Sequence, residues 1–109
     1  NISGGSDCPV EPFDLLPNLA CAVTRTDPTM PGAKPWHPEQ CLSVEEAVRV
    51  FTQGAAYASF EEDERGTLSV GKVADFAVLS RDIFTINPNE IGSTKVEMTV
   101  VDGEIAWEK

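Results

Sequence analysis

Few residues in this chain are placed to do chemistry, and the first is a carboxylate. Asp7 follows a small-residue turn in Ser3-Gly4-Gly5-Ser6-Asp7-Cys8-Pro9. An aspartate there has two uses: it caps the backbone of its own turn, or it takes and returns a proton as a general base. His37, the one histidine, stands beside Trp36 in a proline-rich loop. That pair reads either as exposed loop residues or as a substrate-contacting surface with an aromatic cover. Asp75 interrupts an apolar run in Val73-Ala74-Asp75-Phe76-Ala77-Val78-Leu79. A carboxylate in such a run needs hydrogen-bond partners, so Asp75 is expected to hold a turn or backbone group rather than to react. Cys8 adjoins Asp7 without a basic neighbour to favour its thiolate, which predicts inert packing.

The elements that must position these residues follow from periodicity. Leu16, Leu19, Ala20 and Val23 recur at helical spacing, which predicts a short helix from about Asp14 to Arg25, with Asp14 as its cap and Pro17 in its first turn. Residues 26–42 carry four prolines and no periodicity, the composition of a site-covering or binding loop. The next helix starts with a capping box, Ser43 and Glu46, and runs to about Phe60. Its apolar stripe is Val44, Ala47, Val48, Phe51, Ala55 and Ala58, with Glu45 expected to pair with Arg49 on the wet face. Gly54 inside it implies close approach of a neighbouring element. The run Glu61-Glu62-Asp63-Glu64 reads as a solvated face after the helix. Beyond Gly66 the period becomes strand-like. Residues 72–80 form a strand apolar on both faces, which must be covered on both sides. Residues 81–94 read as a loop with one helical turn. Residues 95–108 form a hairpin around Asp102-Gly103, with Val96, Met98 and Val100 on one strand and Ile105 and Trp107 on the other.

The whole composition excludes some partners. The 109 residues carry a formal charge of -10, opposed to the clustered Lys and Arg that nucleic acids and anionic membranes select. No apolar run approaches the roughly 20 residues of a membrane-spanning helix. Cys8, Cys21 and Cys41 form no C-x-x-C pair, so three free thiols in the reducing cytoplasm is the simplest expectation.

Three groups of residues, in this order and spacing, closely resemble the C-terminal portion of metal-dependent amidohydrolases, specifically the branch that includes the YtcJ-like proteins and N-substituted formamide deformylases. They are Gly5-Ser6-Asp7-Cys8-Pro9, Trp36-His37-Pro38-Glu39-Gln40, and Gly66-Thr67-Leu68 continuing through Gly71-Lys72-Val73-Ala74-Asp75-Phe76. The resemblance implies a longer parent protein. Its fold would be a (β/α)8 barrel with a small composite β-sandwich, making this chain an α/β fragment: residues 1–60 end the barrel after strand eight, and residues 61–109 supply the C-terminal sandwich strands. It further implies a hydrolase acting on non-peptide carbon–nitrogen bonds of small molecules, with a divalent metal, usually zinc, in the parent. Asp7 would be the catalytic carboxylate bordering or ligating that metal, at the barrel rim where strand ends converge. Trp36 and His37 would contact substrate.

The departures from the family bear on the isolated chain. There is no His-x-His pair, and one histidine with one strand-end aspartate cannot supply the three or four ligands of a zinc site. The chain alone is therefore expected to bind no catalytic metal and to be inactive. Its partners are expected to be the remainder of the parent protein or a second copy of itself. A reading from another class also stands: a free-standing acidic interaction module or subunit derived from the same fold.

Overall fold

The computed structural model describes residues 1–27, 29–30 and 32–109; Pro28 and Pro31 of the proline-rich loop lie outside the described residues. Among the described residues three α-helices precede a three-stranded antiparallel sheet. Helix α1 spans Leu16–Thr24 and buries Leu16, Leu19 and Ala20 of the predicted stripe, with its fourth member, Val23, half-buried against the core. Its cap differs in detail from the expectation. Leu15 occupies the cap position, while the Asp14 carboxylate accepts from the Leu16 N–H at 3.0 Å. Asp14 therefore serves an orphan amide of the first turn from one residue further out.

The capping box at Ser43 is present. The Ser43 hydroxyl accepts from the Glu46 N–H at 3.1 Å, and the Glu46 carboxylate accepts from the Ser43 N–H at 2.8 Å. The helix that follows is not continuous to Phe60. It divides into α2, Val44–Phe51, and α3, Gln53–Ala58, with Thr52 at φ -121° and ψ -81° between them. Just past the division the backbone at Ile2–Ser3 lies directly against Gly54. A glycine inside a helix costs about 1 kcal/mol relative to alanine, and here the close approach accounts for it. In α3 the buried positions are Gly54 and Ala56, while Ala58 faces solvent, so the predicted stripe ends at Phe51 and Ala55. Among the described residues Glu45 and Arg49 form no ion pair, in keeping with the small gain available to an exposed pair.

The core joins both halves of the chain. Leu19 and Ala20 of α1 and Ala47 of α2 pack with Ile83 and Ile91, which lie in the segment between the first two strands. That segment contains the 3₁₀ turn Pro88–Ser93, the expected helical turn, and its Gly92 lies against Ala20 and Pro17 of α1. Arg81 fixes the turn by donating to the Glu90 carbonyl at 2.9 Å and to the Ser93 hydroxyl at 2.8 Å.

The sheet is β1 (Phe76–Leu79), β2 (Val96–Val101) and β3 (Glu104–Glu108), in that order. The hairpin between β2 and β3 turns through Asp102 and Gly103, both left-handed at φ 52° and 78°, the geometry that a two-residue hairpin loop demands. Strand β1 is shorter than the predicted 72–80. Lys72 and Val73 are drawn back instead to the segment after α3. The Lys72 ammonium donates to the Glu62 and Arg65 carbonyls, and the Val73 N–H to the Glu64 carbonyl at 2.9 Å. Phe76 and Val78 on one face are 37% and 40% exposed, so within this chain the strand lacks the two-sided cover that its apolar residues call for. Glu62, Asp63 and Glu64 face solvent as expected.

Candidate functional site

Asp7 is carried by the N-terminal segment. The Gly4 N–H donates to the Val50 carbonyl at 3.1 Å, which ties that segment to the end of α2. The chain then turns back on itself, with the Val10 N–H donating to the Asp7 carbonyl at 2.9 Å. Asp7 adopts φ 52°, a region that aspartate tolerates better than most residues. Its side chain is exposed, and its carboxylate makes no hydrogen bond or ion pair among the described residues. Cys8 beside it is also exposed rather than packed, because no element covers the turn.

Trp36 and His37 are held by residues that sequence reasoning did not single out. Arg25 ends α1 in a left-handed conformation, φ 52°, and stacks its guanidinium over the Trp36 ring at 4.8 Å. Arg25 Nε donates to the Trp36 carbonyl at 2.6 Å, and the Trp36 N–H donates to the Arg25 carbonyl at 2.9 Å. His37 packs edge-on against Trp36, with ring centroids 4.5 Å apart, and its Nδ1 lies 2.8 Å from Glu39 Oε1. The Glu39 carboxyl is held below its ordinary range, first by its own backbone N–H and then by the His37 contact, with a smaller contribution from Arg25. The indole stays 69% exposed, so its position is fixed from beneath while its outer face is open. The spacing of His37 and Glu39 could have suggested their contact. Nothing in the sequence points from Arg25 to Trp36, which depends on how α1 ends.

No hydrogen bond or ion pair among the described residues joins Asp7 to Trp36 or His37, so the structure does not assemble the three into one constellation. They also lie outside one broad concavity of the molecule. That concavity, about 1820 Å³ and open to solvent, runs between the helices and the sheet and is walled by Leu15, Phe51, Ala55, Phe76 and Trp107.

Asp75 has the structural role expected of it. Its Oδ1 accepts from the Asp102 N–H at 2.7 Å, and its Oδ2 is paired with Arg65 Nη1. The Gly103 N–H donates to the Ala74 carbonyl at 3.1 Å beside it. One carboxylate thus ties the hairpin turn to the segment after α3. Arg65 Nε, buried, lies 3.4 Å from Glu61 Oε1 without hydrogen-bond geometry, so Asp75 is the partner that matters to this guanidinium.

A tetrahedral metal centre takes three or four ligands. Among the described residues no group of three or more His, Cys, Asp and Glu side chains lies close enough to hold an ion. The residues present therefore do not fit a complete metal centre by themselves. Among the described residues no helix is long and apolar enough to cross a membrane.

Comparison with known proteins places these observations. The family model described as the amidohydrolase family matches residues 1–106. YtcJ of Bacillus subtilis, which its name assigns to the amidohydrolases, is 37% identical over 107 residues, covering 98% of this chain and 20% of that protein. The N-substituted formamide deformylase of Arthrobacter pascens is 33% identical over 108 residues, covering 99% of this chain and 19% of that protein. The crystal structure of an amidohydrolase from Thermotoga maritima superposes with a TM-score of 0.62 at 25% identity, over 94% of this chain and 22% of that one. The chain thus spans about a fifth of the length of the curated relatives it matches.

Proposed function

Because the chain belongs to the amidohydrolase family, we propose that it is the C-terminal part of a hydrolase acting on non-peptide carbon–nitrogen bonds, with amides and N-substituted formamides as the substrate class. One observation carries the reading. The family match is continuous from residue 1 to 106, so it takes in the Asp7 turn, the Trp36-His37 loop and the closing hairpin together. The substrate class rests on the name of the Arthrobacter pascens relative.

In this reading Asp7 is the proton-transferring carboxylate. Amide hydrolysis needs a group that accepts a proton from the attacking water and returns it to the departing nitrogen. A carboxylate that is exposed and free of internal hydrogen bonds is available for both transfers. Trp36 covers an apolar part of the substrate and His37 borders it, with Arg25 and Glu39 holding them in place. The divalent metal that family members generally use, zinc in this reading, would be held by residues of the longer protein with Asp7 at its border. The barrel and the rest of the composite sandwich would be supplied by that longer protein as well. The chain alone is inactive in this reading.

The test is Asp7→Asn in the longer protein, which keeps size and hydrogen bonding but removes the proton acceptor. Turnover of a panel of N-alkyl and N-aryl formamides should fall on the order of 100- to 10,000-fold, the usual cost of losing a positioned acid–base group. Near-wild-type turnover with unchanged metal content would refute the role.

A further inference from the structure

We propose that Gly54 is a positioning residue for Asp7, and that the absence of a side chain at position 54 is what seats the segment carrying that carboxylate. The inference rests on the reading of Asp7 as the proton-transferring group. A Cβ built on Gly54 would overlap the Ile2 carbonyl oxygen, with the Ile2 carbon at 3.1 Å and Ser3 Cα at 3.4 Å. These are backbone atoms, which cannot rotate aside as a side chain does. The same segment is also held at Gly4. Gly4 donates its N–H to the Val50 carbonyl at 3.1 Å, and a Cβ there would stand 2.8 Å from Phe51 Cε1 and 2.9 Å from Val50 Cγ1. Ile2–Gly4 therefore lies in a slot made by the end of α2, the break at Thr52 and the start of α3. At that break the Thr52 hydroxyl donates to the Val48 carbonyl at 2.7 Å.

Only Gly5 and Ser6 separate the slot from Asp7. Each residue spans at most about 3.6 Å, so a shift at Ile2–Gly4 passes to the carboxylate with little chain to absorb it. A misplacement of about 1 Å can cost on the order of 100-fold in rate. The glycine is thus explained by what it positions, and not by the helix it interrupts.

The first test uses the longer protein. Amide hydrogen exchange is read by mass spectrometry, with fragmentation that isolates the Gly4 amide. Gly54→Ala should speed exchange at Gly4 by tenfold or more while the Glu46 and Gly103 amides keep their protection. Unchanged exchange at Gly4 overturns the seat. Should Gly54→Ala loosen Glu46 and Gly103 as well, Gly4→Ala decides. Its Cβ meets only side-chain atoms, so it presses on the slot more gently. It must speed exchange at position 4 with the other two amides intact, and unchanged exchange there sinks the proposal.

The second test is turnover of the same formamide panel by the longer protein. Gly54→Ala should lower kcat by about 10- to 100-fold with KM within a few-fold. Combined with Asp7→Asn it should lose no more than Asp7→Asn alone, since a misplaced group that is already disabled costs nothing further. Multiplicative losses would overturn the positioning role. Normal turnover by Asp7→Asn would sink the reading of Asp7, and exchange at Gly4 would then decide the seat independently.

Discussion

Asp75 and Asp7 hold the same functional group in opposite ways. Asp75 uses both oxygens, one on the Asp102 N–H and one on Arg65, and sits where three stretches of chain meet. Asp7 is exposed, adopts a left-handed backbone, and engages neither oxygen among the described residues. The Trp36-His37 loop resembles the Asp7 end, with His37 left-handed at φ 52° and the indole outside the core. A backbone held in a sparsely populated conformation costs about 1–3 kcal/mol and persists where surrounding structure fixes it. The difference separates a carboxylate that finishes a fold from one that holds nothing in it among the described residues.

The largest effect that would sharpen this contrast is at the sheet. Phe76, Val78, Ile105 and Trp107 stay 37–58% exposed in this chain. Full burial of such a side chain from full exposure is worth roughly 1.5–3 kcal/mol, so covering the remaining half of these four would gain about 3–6 kcal/mol, a large share of the stability of a small domain. The isolated chain should therefore self-associate at micromolar concentration, by strand-edge pairing or by exchanging its hairpin. Sedimentation checks this. A strictly monomeric species with cooperative unfolding would show that the exposed sheet needs no cover.

Asp75→Ala comes next. It leaves the Asp102 N–H without its acceptor and the Arg65 guanidinium without its partner. Hydrogen bonds to charged groups are worth about 1.5–3 kcal/mol each, but this pair is partly exposed, so a loss of roughly 2 kcal/mol in urea unfolding is expected. Asp75→Asn keeps an acceptor for Asp102 and should lose about half as much. If Asp75→Ala unfolds at the wild-type midpoint, the carboxylate does not finish the fold and the contrast with Asp7 fails.

What could be read from the sequence divides along the same line. Local patterns held: the Leu16-Leu19-Ala20 stripe, the Ser43-Glu46 box and the Asp102-Gly103 turn are each specified within a few residues. The structural use of Asp75 was legible because a charge inside an apolar run requires a partner, although Arg65 as that partner was not. The misses are tertiary. The break at Thr52 follows no local pattern, and the approach of Ile2 to Gly54, from about fifty residues away, left only the glycine as its trace in the sequence. The short β1 depends on Lys72 and Val73 finding carbonyls after α3 instead of a neighbouring strand. The family was legible from three spaced motifs. The geometry around Asp7 was not, because among the described residues its carboxylate makes no hydrogen bond or ion pair from which a position could be inferred.

A smaller effect belongs to the helix that helps form the Asp7 slot. Ser43→Ala removes one of the two reciprocal bonds of the capping box and should cost about 1 kcal/mol. Because α2 ends in the slot, the same change should modestly speed exchange at Gly4. A loss of stability with exchange at Gly4 untouched would show that the two ends of α2 are independent.

The smallest expected effect is chemical and concerns the cysteines. Cys21 lies half-buried on α1 and donates its thiol to the Thr26 carbonyl at 3.3 Å. Its pKa is raised first by burial, then by the nearby charges of Asp27 and Glu11. The Asp27 carboxyl is itself held below its ordinary range by the Thr29 hydroxyl and backbone N–H, so it stays ionised well into acid and keeps opposing the thiolate. Only the thiolate attacks an alkylating reagent, and each unit of pKa above the working pH lowers its fraction about tenfold. Exposed Cys8 should therefore be alkylated by iodoacetamide before Cys21 at pH 8, with the order read by mass spectrometry. Asp27→Asn removes one of the opposing charges and should speed Cys21 alone, by a few-fold, since burial remains the larger cause. Equal rates at Cys8 and Cys21 would mean that α1 opens faster than the reagent reacts. The contrast between a settled interior and an open Asp7 turn would then not extend to this helix.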